Sequence, residues 1–159
     1  MKKSSKGFSL IELLIVVAII LIIAAIAIPN LLRSRIAANQ ASAVGSLRTL
    51  NTAEITYSST YNSGFSSTMT YLESGTSATP TSTAAGLIDS ILGAGTKSGY
   101  SFTYSSAAPD TAGRVDNYEI WAAPINTSTG TNYYFTDQSG VIRMNSTTTA
   151  QSTDSPLAG

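Results

Sequence analysis

Twenty-one consecutive residues near the start of the chain, Phe8 to Ile28, read FSLIELLIVVAIILIIAAIAI, and only Ser9 and Glu12 among them are polar. At about 1.5 Å per residue such a helix is roughly 30 Å long, the thickness of bilayer hydrocarbon, so the run is expected to cross a membrane once. Lys2, Lys3 and Lys6 precede it and Arg33 and Arg35 follow. Positive-inside counting therefore favours a cytoplasmic N-terminus, modestly, with residues 30–159 on the outer side. Glu12 is out of place in this run. A charge at the bilayer centre costs about 2.5–3.5 kcal/mol on insertion scales, so an intramembrane acid is by default functional and needs a partner.

An ordinary secretory signal is one reading, because Ala25-Ile26-Ala27 fits an A-x-A cleavage pattern. The apolar run is longer than the roughly 7–15 residues of such signals, and Glu12 would serve nothing there. An uncleaved signal anchor leaves Glu12 equally unexplained.

The segment Lys6-Gly7-Phe8-Ser9-Leu10-Ile11-Glu12 resembles the class III signal of type IV prepilins: a short basic leader ending in Gly, then Phe, then Glu at the fifth position after the cut. The resemblance implies cleavage between Gly7 and Phe8 by a membrane aspartic peptidase that also N-methylates Phe8. Residues 1–7 would be lost as a leader and the anchor, residues 8–29, kept as transmembrane and filament-core helix. It also implies an α+β pilin fold, in which one long N-terminal helix packs on a small antiparallel sheet of three or four strands.

Cleavage there creates a cationic amine on Phe8 at nearly the depth of Glu12. Opposite charges about 4 Å apart gain roughly 4 kcal/mol at an effective dielectric near 20, comparable to the insertion cost of the carboxylate. On a helix the Phe8 amine and Glu12 lie a turn apart, so a pair within one chain also satisfies the charge. The family resemblance favours an intermolecular pair, with Glu12 of an incoming subunit meeting Phe8 of one already assembled.

Pro29 ends the apolar run and is expected to kink the helix, since it removes a hydrogen bond and clashes with the preceding turn. Beyond it Ala37, Ala41, Val44, Leu47, Leu50, Ala53, Tyr57 and Tyr61 recur at helical spacing, with Arg35, Gln40, Arg48 and Glu54 off that stripe. Residues 30–61 are thus expected to be an amphipathic helix on a globular domain. Residues 62–98 are a Ser/Thr/Gly-rich loop with a helical turn near 84–92, capped by Ser82 or Thr83. Within 99–144, Tyr100, Phe102 and Tyr104 alternate with polar residues, as do Tyr118, Ile120 and Ala122. Tyr133 and Phe135 precede Asp137-Gln138-Ser139-Gly140, and Val141 to Met144 resume, which reads as a hairpin. The sheet is expected to rest one face on the helix and the other in water. Residues 145–159 lack an apolar period and are expected to hug the surface or stay disordered.

Nine Lys and Arg balance nine Asp and Glu, so nucleic acid is not expected as the main direct partner. The chain contains no Cys and no His. Thiol nucleophiles, disulfides, His-based triads and ordinary zinc sites are thereby excluded, and no Ser has a base or a recognisable elbow. Many members of the family that the motif resembles staple their C-terminal region with a disulfide, which this chain does without. Asp110, Asp116, Asp137 and Asp154 stand where turns favour Asp, without EF-hand spacing. Lys97, Arg114 and Arg143 read as scattered solvated cations, and Trp121 and the tyrosines as core and cross-strand pairs. Asn126-Thr127-Ser128 and Asn145-Ser146-Thr147 fit a glycosylation pattern that is common in so Ser/Thr-rich a chain.

The expected function is that of a filament subunit: neither an enzyme nor dependent on a cofactor or metal, held in a bacterial inner membrane before assembly and in an extracellular fibre afterwards. Its expected partners are further copies of itself in a helical homopolymer, the prepilin peptidase/methyltransferase, the inner-membrane assembly machinery and, before assembly, the membrane. The alternatives are a pseudopilin of a type II secretion system and a tethered domain that never polymerises.

Overall fold

The computed structural model describes residues 7–75 and 79–157. The leader, apart from Gly7, lies outside them. Two compact units divide the chain, Met1–Arg35 and Ile36–Gly159. One long helix, α1 (Leu10–Tyr61, 52 residues), contributes to both.

In the first unit α1 is made almost wholly of Leu, Ile, Val and Ala. Ile and Val are mediocre helix formers in water, but hydrocarbon supplies no hydrogen bonds, and a single span can pair its own backbone only as a helix. The side chains from Leu10 to Ile28 stay exposed apart from the half-buried Ala24, with Leu10 at 73 % and Ile26 at 65 %. This is the one helix among the described residues long and apolar enough to cross a membrane.

In the second unit α1 buries Val44, Leu47, Leu50, Ala53 and Tyr57, the lower part of the expected stripe. Ala37 and Ala41 are exposed instead. At their level the helix meets loops through polar tips: Asn39 Nδ2 donates to the Thr129 carbonyl (2.9 Å) and Gln40 Nε2 to Thr131 Oγ1 (3.0 Å). Glu54, expected off the stripe, is fully buried. Four residues after Leu50 it lies on the same face, and Ser66 and Tyr104 supply the hydrogen bonds that make its burial tolerable.

Five antiparallel strands follow in spatial order β1 to β5: Thr96–Lys97, Tyr100–Ser106, Tyr118–Pro124, Tyr133–Asp137 and Arg143–Asn145. The α+β class, with its long helix and small antiparallel sheet, is therefore as the resemblance implies. The count exceeds three or four because β1, only two residues long, carries no alternation to read. Registers Phe102↔Ala122, Tyr104↔Ile120 and Ala122↔Tyr134 align one apolar face. That face joins the α1 stripe in the core. On β4 the inward residues are Tyr134 and Thr136 rather than Tyr133 and Phe135. Phe135 is nevertheless 2 % exposed, on the opposite face, beside its cross-strand partner Trp121 at 5.6 Å between ring centres. The outer face is thus partly covered rather than left to water.

The short helix starts later than expected. Gly86 has φ +68°, a left-handed conformation that interrupts a helix, and the amides of Leu87 and Ile88 both donate to the Leu72 carbonyl (2.7 and 3.1 Å). Helix α2 is Ser90–Gly93, capped by Asp89, whose side chain accepts from the Leu92 amide. A 3-10 turn at Met69–Leu72, unforeseen in the sequence, carries two buried apolar residues into the core beside it.

The C-terminal segment is ordered against the sheet without a disulfide. Leu157 N–H donates to the Ile142 carbonyl (2.7 Å) and Met144 N–H to the Ser155 carbonyl (3.2 Å), so residues 155–157 extend the edge at β5. Asp154 ties the knot: its carbonyl accepts from Arg143 Nη1 (2.9 Å), while its carboxylate accepts from Asn145 Nδ2 (3.1 Å) and the Gln151 amide (2.7 Å). Between these anchors Ala150 is fully buried and Ser152 reaches a cleft shared with Glu119 and Asp137. Asp154→Ala is expected to cost about 1–2 kcal/mol, the usual loss when a charged acceptor of two such bonds is removed. Chemical unfolding of the full chain in detergent micelles measures this, and an unchanged midpoint would show that the main-chain bonds alone hold the segment.

Candidate processing and assembly site

Gly7, Phe8 and Ser9 precede α1 and are not helical. A side chain added at Gly7 would meet nothing within 4 Å. Phe8 is 84 % exposed.

Helix α1 then begins on a capping arrangement. Ser9 is the residue before its first turn, and its N–H donates to Glu12 Oε2 at 2.9 Å, while its carbonyl accepts from the Leu13 amide at 3.2 Å. This is half of an S-x-x-E capping box, with Glu12 three residues after the cap. The pattern is legible in Ser9-Leu10-Ile11-Glu12 and gives Glu12 a partner in the backbone of its own chain. The carboxylate also lies in the first turn, where the helix dipole favours negative charge.

Glu12 therefore has a local partner before any cut. The nitrogen of Phe8 is one residue away from the amide it accepts, and in the uncut chain it is itself an amide. Hydrolysis of the Gly7–Phe8 bond would convert that neutral nitrogen into a cation beside an acid already turned toward the helix start. Around this point the exposed surface is continuous hydrocarbon, with Ile11, Leu14, Ile15 and Ile19 each more than half exposed. Glu12 thus reaches back to Ser9, the residue after Phe8, and Pro29 is not part of the group. Pro29 lies inside α1, which continues past it. Having no N–H, it leaves the Ala25 carbonyl without its usual donor.

The remaining candidate residues are occupied locally. Asp110 accepts from the amides of Ala112 and Arg114, and Asp137 from Ser139, each closing its own turn. Arg114 pairs with Asp116 at 2.7 Å and Lys97 with Asp89 at 2.8 Å. Among the described residues no three His, Cys, Asp or Glu side chains gather as a metal site. The tyrosines pack as core: Tyr104 stacks on Tyr118 at 6.1 Å, and Phe65 meets Tyr118 edge-on at 4.8 Å. Burial pushes the Tyr100 phenol up to about 12, so it stays a donor, here to the Asn132 carbonyl at 2.9 Å.

Comparison with known proteins places the similarity in the same segment. Residues 2–28 match the family model of the prokaryotic N-terminal methylation motif. The type IV wide pilus major component PilA4 of Thermus thermophilus is 65 % identical over 37 residues, 23 % of this chain and 28 % of that protein. The type IV major pilin protein PilA of Myxococcus xanthus is 52 % identical over 50 residues, 31 % of this chain and 23 % of that one. The match thus spans about a quarter of the length of these curated relatives. No solved structure matches the chain. An exposed Phe8, an acid at the helix start, a membrane-length apolar helix and the methylation motif coincide, and across that N-terminal segment the chain is similar to the type IV pilins.

Proposed function

We propose that the chain is the precursor of a structural subunit that polymerises through its N-terminal helix into a type IV pilus-like filament. A peptidase/methyltransferase removes residues 1–7 and methylates the new amine of Phe8. The apolar part of α1 anchors the subunit in the membrane and then becomes the filament core, with Pro29 as the place where the helix bends or opens. The observation that carries this reading is the single acid of the apolar run, held 2.9 Å from the backbone of Ser9, one residue from the amine that cleavage would create.

Energetically, moving such a helix from lipid to a bundle of like helices exchanges one apolar surround for another. Packing and polar contacts rather than hydrophobic burial then decide assembly. The Glu12–Phe8 charge pair supplies the directional contact that hydrocarbon lacks. Repeated head to tail, a contact of this type does not close and yields an open helical polymer. The role is mechanical, and no catalytic step is assigned to the chain.

The test is the intact mass and N-terminal residue of chains from sheared extracellular fibres. Chains beginning at Phe8 with one added methyl group are expected. Chains beginning at Ile28, after an A-x-A cut, would establish an ordinary secreted domain instead. Gly7→Val is expected to leave uncut precursor in the membrane, seen as a larger species on a denaturing gel, with fibres lost.

A further inference from the structure

Glu54 is a buried carboxylate that plays no part in processing or in the N-terminal helix, and its surroundings are unusual in one respect. Its Oε2 accepts the Ser66 amide (2.9 Å), and its Oε1 lies 2.6 Å from Ser66 Oγ and 2.7 Å from the Tyr104 hydroxyl. Both hydroxyls have a second acceptor within reach. Tyr104 is equally close, at 2.7 Å, to the Ser66 carbonyl, and Ser66 Oγ lies 3.0 Å from the Thr68 carbonyl. Each hydroxyl has one proton, so it serves one acceptor at a time.

Counting protons gives two arrangements. With Glu54 ionised, Ser66 Oγ–H and Tyr104 O–H both donate to Oε1. With Glu54 protonated on Oε1, that proton goes to the Tyr104 or Ser66 oxygen, Tyr104 turns its own proton to the Ser66 carbonyl, and Ser66 turns its to the Thr68 carbonyl. No group moves except two rotating hydroxyls; in the ionised state the Ser66 carbonyl gives up the Tyr104 hydroxyl, while the Thr68 carbonyl keeps the Tyr71 amide at 3.1 Å. The difference lies in where the bonds go. In the ionised state they converge on Glu54 of α1; in the protonated state Tyr104 fastens the Ser66 carbonyl of the loop to β2, and Ser66 Oγ closes the loop on its own Thr68 carbonyl.

We propose that Glu54 is a proton-linked fastener, and that taking up one proton there tightens the loop of residues 66–72 against the sheet. The groups facing Glu54 are Tyr57 on α1, Ser66 on the loop, Tyr104 on β2 and Tyr118 on β3. Among the described residues no Lys or Arg pairs with it. Burial raises its carboxyl above the ordinary value of 4.5, against the opposing pull of the Ser66 and Tyr104 hydrogen bonds. The folded domain therefore holds the proton more tightly than the unfolded chain. The stability linked to this group is fully present below its unfolded value and is lost as pH rises through its folded one. The proposal stands apart from polymerisation and is unaffected if the chain forms no fibre.

The test uses the full chain in detergent micelles, with the Glu54 side-chain carboxyl followed by carbon NMR across pH and assigned by its loss in Glu54→Gln. Hydrogen exchange of amides 66–72, corrected for the intrinsic pH dependence, is measured in parallel. A midpoint above the ordinary glutamate value is expected, with loop protection falling several-fold at the same midpoint. Tyr104→Phe, which removes one rotating hydroxyl and keeps the ring, is expected to reduce that fall. A midpoint at or below the ordinary value, or loop protection that ignores the titration, would overturn the proposal. Both readings come from the unmutated chain, so they decide the matter even if a variant fails to fold.

Discussion

Cells producing the Glu12→Ala chain are expected to accumulate the protein in the membrane and to form few or no fibres. In the proposed filament the carboxylate would be half of a charge pair, worth about 4 kcal/mol for charges about 4 Å apart at an effective dielectric near 20. Losing that at every addition weakens each step about a thousandfold, since about 1.4 kcal/mol is a factor of ten. A polymer grown one subunit at a time does not survive such a loss. Glu12 also caps its own helix through the Ser9 amide, and removing a cap costs about 1 kcal/mol, so the alanine variant alone mixes two effects. Glu12→Gln separates them. Its side-chain oxygen still accepts the Ser9 N–H, but it has no charge for the Phe8 amine. Fibre counts by electron microscopy, normalised to membrane protein, are expected to be nearly as low for glutamine as for alanine. Normal fibres from the glutamine chain would mean that Glu12 matters only as a cap. Normal fibres from the alanine chain would leave a tethered domain that does not polymerise as the better account.

How much of this was legible in the sequence depended on whether a residue's partner was near it in the chain. Gly7, Phe8 and Glu12 lie within six consecutive residues, and the apolar run is a property of composition, so motif and run could both be read directly. The alternation of β2 and β3 could be read too, because a sheet with one face on a helix writes its period into the strands. Glu54 could not. Its burial depends on Ser66 and Tyr104, the latter 50 residues away, and nothing local distinguishes it from a solvated glutamate. β4 misled for a related reason. Both its faces are covered, so Phe135 and Tyr134 are both buried and the strand has no apolar period. The late start of α2 followed from Gly86, whose left-handed conformation is a tertiary choice that Leu87, Ile88, Ile91 and Leu92, at helical spacing, conceal. The C-terminal segment looked featureless because backbone bonds and one aspartate hold it rather than an apolar stripe.

The two parts of α1 differ in what a truncated side chain should do, and this is the sharpest test of a division of labour along one helix. Leu50 is fully buried in the core formed with the sheet. Leu50→Ala removes buried methyl groups and leaves a cavity, at a cost of about 2–5 kcal/mol. For a domain of this size that lowers the melting midpoint by about 10 °C, since 1 kcal/mol corresponds to about 4 °C or somewhat more. Ile20 belongs to the same helix, yet it is 57 % exposed and is not one of the residues of that core. Ile20→Ala is expected to leave the melting midpoint of the globular unit unchanged, read by near-ultraviolet circular dichroism of its tyrosines and Trp121 in micelles. Its loss should be felt only where helices meet, as fewer or more fragile fibres under shear. A globular unit that melts earlier in Ile20→Ala would show that the apolar part supports the fold, and the separation of anchor from domain would fail. Equal melting for Leu50→Ala and the parent chain would refute the packing of α1 on the sheet, because a buried leucine cannot be truncated without leaving a hole.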